Sequence, residues 1–146
     1  MEKNRIWSIL FGLYSALMLW LLFDRIGYVE GIPYGQQLKL NLLPLRTIRL
    51  FLEVLDHPRY WVDAVVNLLG NILMFIPLGF LLPTVFPKLG KFWKTLLAAT
   101  MIVIGVEVAQ LLTLLGTCDI DDLILNLIGA AVGYGIYKCT AKSLSE

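Results

Sequence analysis

Four apolar runs divide this chain: Ile6–Phe23, Val62–Leu82, Thr95–Leu115 and Leu123–Tyr137. A membrane-crossing helix needs about 20 apolar residues, with about 17 as the lower limit. The first run sits near that limit. The fourth reaches it by taking in Ile120–Asp122 or the residues after Tyr137. The pattern predicts an all-α fold, a polytopic bundle with four transmembrane helices at about residues 6–23, 62–82, 95–115 and 120–138. Together they form one membrane domain over residues 1–146. Lys3 and Arg5 before the first run imitate a signal peptide, but the run is longer than a signal core and no small-x-small cleavage site follows. A retained anchor is expected.

The segment between the first two runs, residues 24–61, opens with turn formers from Gly27 to Gly35. After Pro44, Leu45, Ile48, Leu52 and Leu55 share one helical face, while Arg46, Arg49, Glu53 and Asp56 share another. This spacing predicts an amphipathic helix of roughly three turns. It would lie in the outer interface or pack over the mouth of the bundle. His57-Pro58-Arg59 would end it, with His57 in solvent.

Hydrophobic residues make up 58% of the chain and charged residues 16%, with a mean hydropathy of +0.76, which excludes an ordinary soluble domain. A net charge of +1 makes no case for nucleic acid as a partner. The placement of charge says more. Lys3 and Arg5 precede the first run, Lys88, Lys91 and Lys94 fill the second connection, and Lys138 and Lys142 follow the fourth run. The third connection holds only Asp119, Asp121 and Asp122. The positive-inside rule then puts both termini in the cytoplasm, although Arg25, Lys39, Arg46, Arg49 and Arg59 dilute the contrast. Cys118 and Cys139 bracket the fourth run, roughly 30 Å apart along a helix. That is well beyond the ~7 Å between Cα atoms that a disulfide tolerates.

Polar residues inside the runs fall into stripes. Asp63, Asn67 and Asn71 recur every four residues, Glu107 and Gln110 are three apart, and Asp119, Asp122, Asn126, Gly129 and Gly133 step by three or four. Asp121 falls on another face. Under the predicted topology all three stripes meet in the outer leaflet. The expected site is a polar pocket of Asn67, Asn71, Glu107, Gln110, Asp119, Asp122 and Asn126, capped by the amphipathic helix. Gly129 and Gly133 form a small-xxx-small pair suited to helix packing. The competing reading has these amides and carboxylates joining helix to helix. A carboxylate at membrane depth costs about 2.5–3.5 kcal/mol on insertion scales, so Glu107 calls for neutralisation. Arg46, Arg49 and Arg59 are the nearest cations by topology.

No Gly-x-Ser-x-Gly elbow, His-Glu-x-x-His helix, Walker loop or Cys-x-x-Cys pair is present. Asp119, Asp121 and Asp122 with Glu107 offer oxygens to a hard divalent cation. They equally suit the N-terminus of the fourth helix. The pattern names no cofactor, and whether the protein is an enzyme stays open.

Several motifs together resemble the VanZ-like membrane proteins. They are Asn41-Leu-Leu-Pro-Leu45, Asn67-Leu-Leu-Gly-Asn71 running into Phe75-Ile-Pro-Leu-Gly79, Glu107-Val-Ala-Gln110, and Asp119-Ile-Asp-Asp-Leu-Ile-Leu-Asn126-Leu-Ile-Gly129. The resemblance spans residues 41–133. It implies a bacterial inner-membrane protein and, through the family's namesake, low-level resistance to the glycopeptide teicoplanin. It implies no catalytic mechanism. The expected function is binding of, or action on, a cell-envelope lipid at the outer leaflet. Expected partners are membrane lipids, with a cell-wall precursor or a lipoglycopeptide beside them. The alternatives are a lipid-head-group enzyme using the acids with a divalent metal, and a non-catalytic helper or subunit whose stripes only join helices, through Gly129 and Gly133. A reporter fused after Gly116 tests the topology: extracytoplasmic activity is expected, and cytoplasmic activity would remove the outer pocket.

Overall fold

Apolar periodicity becomes helix along most of the chain. The computed structural model describes residues 2–24, 40–113 and 118–143. The turn-rich Gly27–Gly35 opening and the end of the third apolar run lie outside them. In chain order the elements are helix α1 (Glu2–Asp24), strand β1 (Leu40–Asn41), helix α2 (Arg46–Glu53), helix α3 (Trp61–Val85), a 3-10 turn (Pro87–Leu89), helix α4 (Phe92–Thr113), strand β2 (Cys118–Asp119) and helix α5 (Ile120–Ser143).

Among the described residues three helices are long and apolar enough to cross a membrane: Trp61–Val85, Phe92–Leu112 and Ile120–Ala141. The apolar stretch of α1, Arg5–Leu21, is shorter, so α1 does not establish the fourth crossing that the first run predicts. Leu69 and Leu73 on α3, Leu97 and Met101 on α4, and Ile128 and Val132 on α5 are exposed. Exposed apolar surface of this extent suits a lipid solvent. The core is small and made of Met18, Phe75, Leu78, Leu82, Ala99, Val103 and Ala130.

Helices α3 and α5 share the most extensive interhelical contact. Their closeness follows from missing side chains. A Cβ at Gly79 would collide with the Ala130 carbonyl, one at Gly129 with the Ile72 carbonyl, and one at Gly133 with the Ile76 carbonyl. Without side chains at these positions the two backbones meet directly, which is how helices gain packing where lipid offers no hydrophobic drive. Helix α1 is keyed to this pair by Tyr14, whose hydroxyl donates to the Met74 carbonyl at 2.8 Å. At the other end, the Tyr134 hydroxyl donates to the Gly90 carbonyl at 3.0 Å, and Thr95 Oγ1 donates to the Leu89 carbonyl at 2.6 Å.

Two features depart from the sequence pattern. Strands β1 and β2 pair in parallel, Leu40 opposite Cys118 and Asn41 opposite Asp119. A two-residue ladder between distant segments leaves no periodicity to read. The amphipathic helix is also shorter than its pattern predicts. It spans Arg46–Glu53, and Leu45 stands before it in the left-handed conformation, at φ 64°. Leu55 falls in the turns that follow.

The glycine seam gives a contrast experiment. Gly133→Val should lower thermal stability in detergent by on the order of 1–3 kcal/mol, because the added side chain meets backbone. Gly135→Ala, whose Cβ meets nothing within 4 Å, should leave stability unchanged or slightly raised. Equal melting temperatures for the two variants would contradict the seam.

Candidate functional site

The polar residues gather where α4 ends and α5 begins. Asp119, the residue before α5, caps that helix: its Oδ1 accepts the Asp121 N–H at 2.8 Å. The same carboxylate accepts from Asn41 Nδ2 at 3.1 and 3.2 Å and from the Thr47 hydroxyl at 2.6 Å. Asn41 Nδ2 also reaches Thr47 Oγ1 at 2.9 Å, and its Oδ1 accepts the Leu43 N–H at 3.3 Å. Asn41, Thr47 and Asp119 therefore satisfy one another in a closed network.

Asp121 is 0% exposed, the most deeply buried acid of the group. Its Oδ1 accepts the Leu45 N–H at 2.5 Å, and its Oδ2 accepts Thr47 N–H at 2.7 Å and Ile48 N–H at 3.1 Å. These amides open α2, whose first turn has no intrahelical partners for them. A carboxylate from α5 thus caps a helix that begins more than seventy residues earlier in the chain. No side chain of α2's own N-terminus caps it. This fixes the start of α2 and explains why the helix begins after Leu45. Spacing sets Asp121 off the polar stripe, and the structure gives that off-stripe direction a purpose.

Glu107 is buried on α4, and its Oε2 accepts the Asp119 N–H at 3.1 Å. The cations that topology suggests for it are elsewhere. Arg46, Arg49 and Arg59 are exposed, and Arg49 pairs with Glu53 at 3.0 Å. Burial, then the negative charge of Glu107, raises the Cys118 thiol above its ordinary pKa. Asn71 on α3 donates from Nδ2 to Asp122 Oδ1 at 2.6 Å, bridging α3 and α5. Gln110 on α4 and Asn126 on α5 are buried. Asn126 is 3% exposed, and its Oδ1 has no hydrogen-bond partner among the described residues. Asn67 is exposed on α3, as is Asp63, so α3 brings Asn71 to the cluster and leaves these two outside it. Gly129 and Gly133 lie further along α5, in the seam with α3. His57 is exposed and stacks on Tyr60, with ring centroids 4.7 Å apart.

Among the described residues no group of three His, Cys, Asp or Glu side chains is arranged to hold a metal ion. The donor set explains it, since Asp119 and Asp121 direct their oxygens at the 41–48 segment.

Three membrane-length helices with an acidic junction at the α4–α5 end define a helical protein consistent with residence in a membrane. The family model described as VanZ/LLP1 matches residues 11–141, and the chain belongs to that family. A relative, Protein VanZ of Enterococcus faecium, is 26% identical over 138 residues, covering 94% of this chain and 76% of that protein. No solved structure matches.

Removing the Asp121 carboxylate should release α2 selectively. Asp121→Ala is expected to speed hydrogen exchange of the 45–48 amides by on the order of tenfold or more, the scale of a lost charge-assisted hydrogen bond. Exchange in the α3–α5 seam should change much less. Uniform acceleration across the protein would deny Asp121 this local role.

Proposed function

We propose that this chain is a multi-pass protein of the bacterial cell membrane, with α1 as its fourth crossing and both termini cytoplasmic. Its α4–α5 junction, at the outer leaflet, binds the polar head group of a cell-envelope lipid or lipid-linked precursor. Bound lipid then changes how a lipoglycopeptide of the teicoplanin type meets its target. One observation carries the reading. Four acids from α4, β2 and α5 collect at one helix end, and among the described residues no Lys or Arg forms an ion pair with them. Fold requirements account for Asp119 and Asp121, and leave Glu107 and Asp122 beside the buried amides Gln110 and Asn126. The apolar outer faces of α3, α4 and α5 supply a surface along which a lipid tail can lie. Membership of the VanZ/LLP1 family supports the antibiotic side of the proposal.

Expression in a susceptible host tests it. The wild-type protein should raise the inhibitory concentration of teicoplanin. Asp122→Asn should lower that gain about fivefold, the change produced by ~1 kcal/mol of lost binding, at unchanged abundance in the membrane fraction. A loss of phenotype that only tracks loss of protein would assign Asp122 to packing instead.

A further inference from the structure

The acceptors left over at this junction define the ligand's polarity, which deepens the proposed function and rests on it. Of Asp122's two oxygens, the structure gives a hydrogen bond to Oδ1 alone, from Asn71. One helical turn on, Asn126 Oδ1 is buried without a donor among the described residues. Side chains on a helix lean toward its N-terminus, so Asn126 extends over the turn that carries Asp122. Residues four apart on a helix have Cβ atoms about 5–6 Å apart, so one nitrogen between the two side chains can reach both acceptors. Buried acceptors without donors are costly, and a negative charge beside them favours a cationic donor. Both residues lie in the first two turns of α5, which the proposed topology sets at the level of the outer head groups.

We propose that Asp122 and Asn126 bind a protonated primary amine, presented by the head group of an amine-bearing lipid such as an ethanolamine phospholipid. The amine donates one N–H to Asp122 Oδ2 and one to Asn126 Oδ1, and Glu107 adds negative charge nearby.

A graded lipid series tests this on the wild-type protein. Full-length protein is reconstituted in phosphatidylcholine nanodiscs doped with phosphatidylethanolamine, its N-monomethyl or its N,N-dimethyl derivative, and retained lipid is measured by native mass spectrometry. Retention should change little for the N-monomethyl lipid, which keeps two N–H donors, fall for the N,N-dimethyl lipid, which keeps one, and be about tenfold lower for phosphatidylcholine, the loss expected for charge-assisted hydrogen bonds. Asn126→Leu should weaken the gradient and Asn126→Leu with Asp122→Asn should abolish it, while Asn126→Asp, which keeps an acceptor oxygen, should preserve it. Equal retention of all four lipids, lowered in Asn126→Leu, overturns the amine assignment and leaves the lipid site standing. Retention that ignores both residues overturns the amine and the lipid site together, and leaves Asn126 to a buried water. If free ethanolamine binds in an Asn126-dependent way while no lipid is retained, the amine site stands and the lipid reading fails.

Discussion

A buried carboxylate must be met by donors, and in this protein the donors for Asp121 are backbone amides of a distant segment. Leu45, Thr47 and Ile48 offer N–H groups that open α2 and lack intrahelical partners there. Each side solves the other's problem: α2 gains a cap, and Asp121 gains a reason to be fully buried. The site depends on this exchange. It anchors the 40–53 segment to the α4–α5 junction, where Asn41 and Thr47 then close on Asp119 and the two short strands pair.

The clasp divides the acids by role. Asp119 and Asp121 are consumed by structure: each accepts at least three hydrogen bonds, all of them from the 41–48 segment or the start of α5. Asp122 accepts one, across the α3–α5 seam from Asn71. Glu107 accepts a backbone N–H from β2. The proposed head-group site therefore draws on Asp122, Asn126 and Glu107, whose acceptor oxygens the fold engages less than those of Asp119 and Asp121. The glycine seam makes this possible by bringing α3 close enough to α5 for Asn71 to reach Asp122.

Much of this was legible in the residues, and the rest was not for physical reasons. The helices α3, α4 and α5 announce themselves by long apolar runs, and four-residue spacing places Asn71 on the face it uses. The same spacing treats Asn67 as its equal, yet Asn67 is exposed, because a stripe gives a face and cannot say how far a neighbouring helix covers it. Asp121 is the clearest loss. Helical periodicity sets it apart from Asp119 and Asp122, and the partner it faces lies in a segment whose docking no local pattern encodes. Asn41 and Thr47, polar positions flanking Pro44, were the available signal. Their role becomes visible only once β1 lies beside β2.

Cross-linking tests the clasp most directly. Leu40 stands opposite the native Cys118 in the β1–β2 pair, and neighbouring strands lie ~4.8 Å apart, within disulfide reach. Leu40→Cys protein in membranes, mildly oxidised and cleaved between α2 and α5, should remain joined through Cys118. Cys139, roughly 30 Å away along α5, should not take part. Two separate fragments after oxidation, or joining through Cys139 as readily as through Cys118, would contradict the placement of the 40–53 segment on which the site is built.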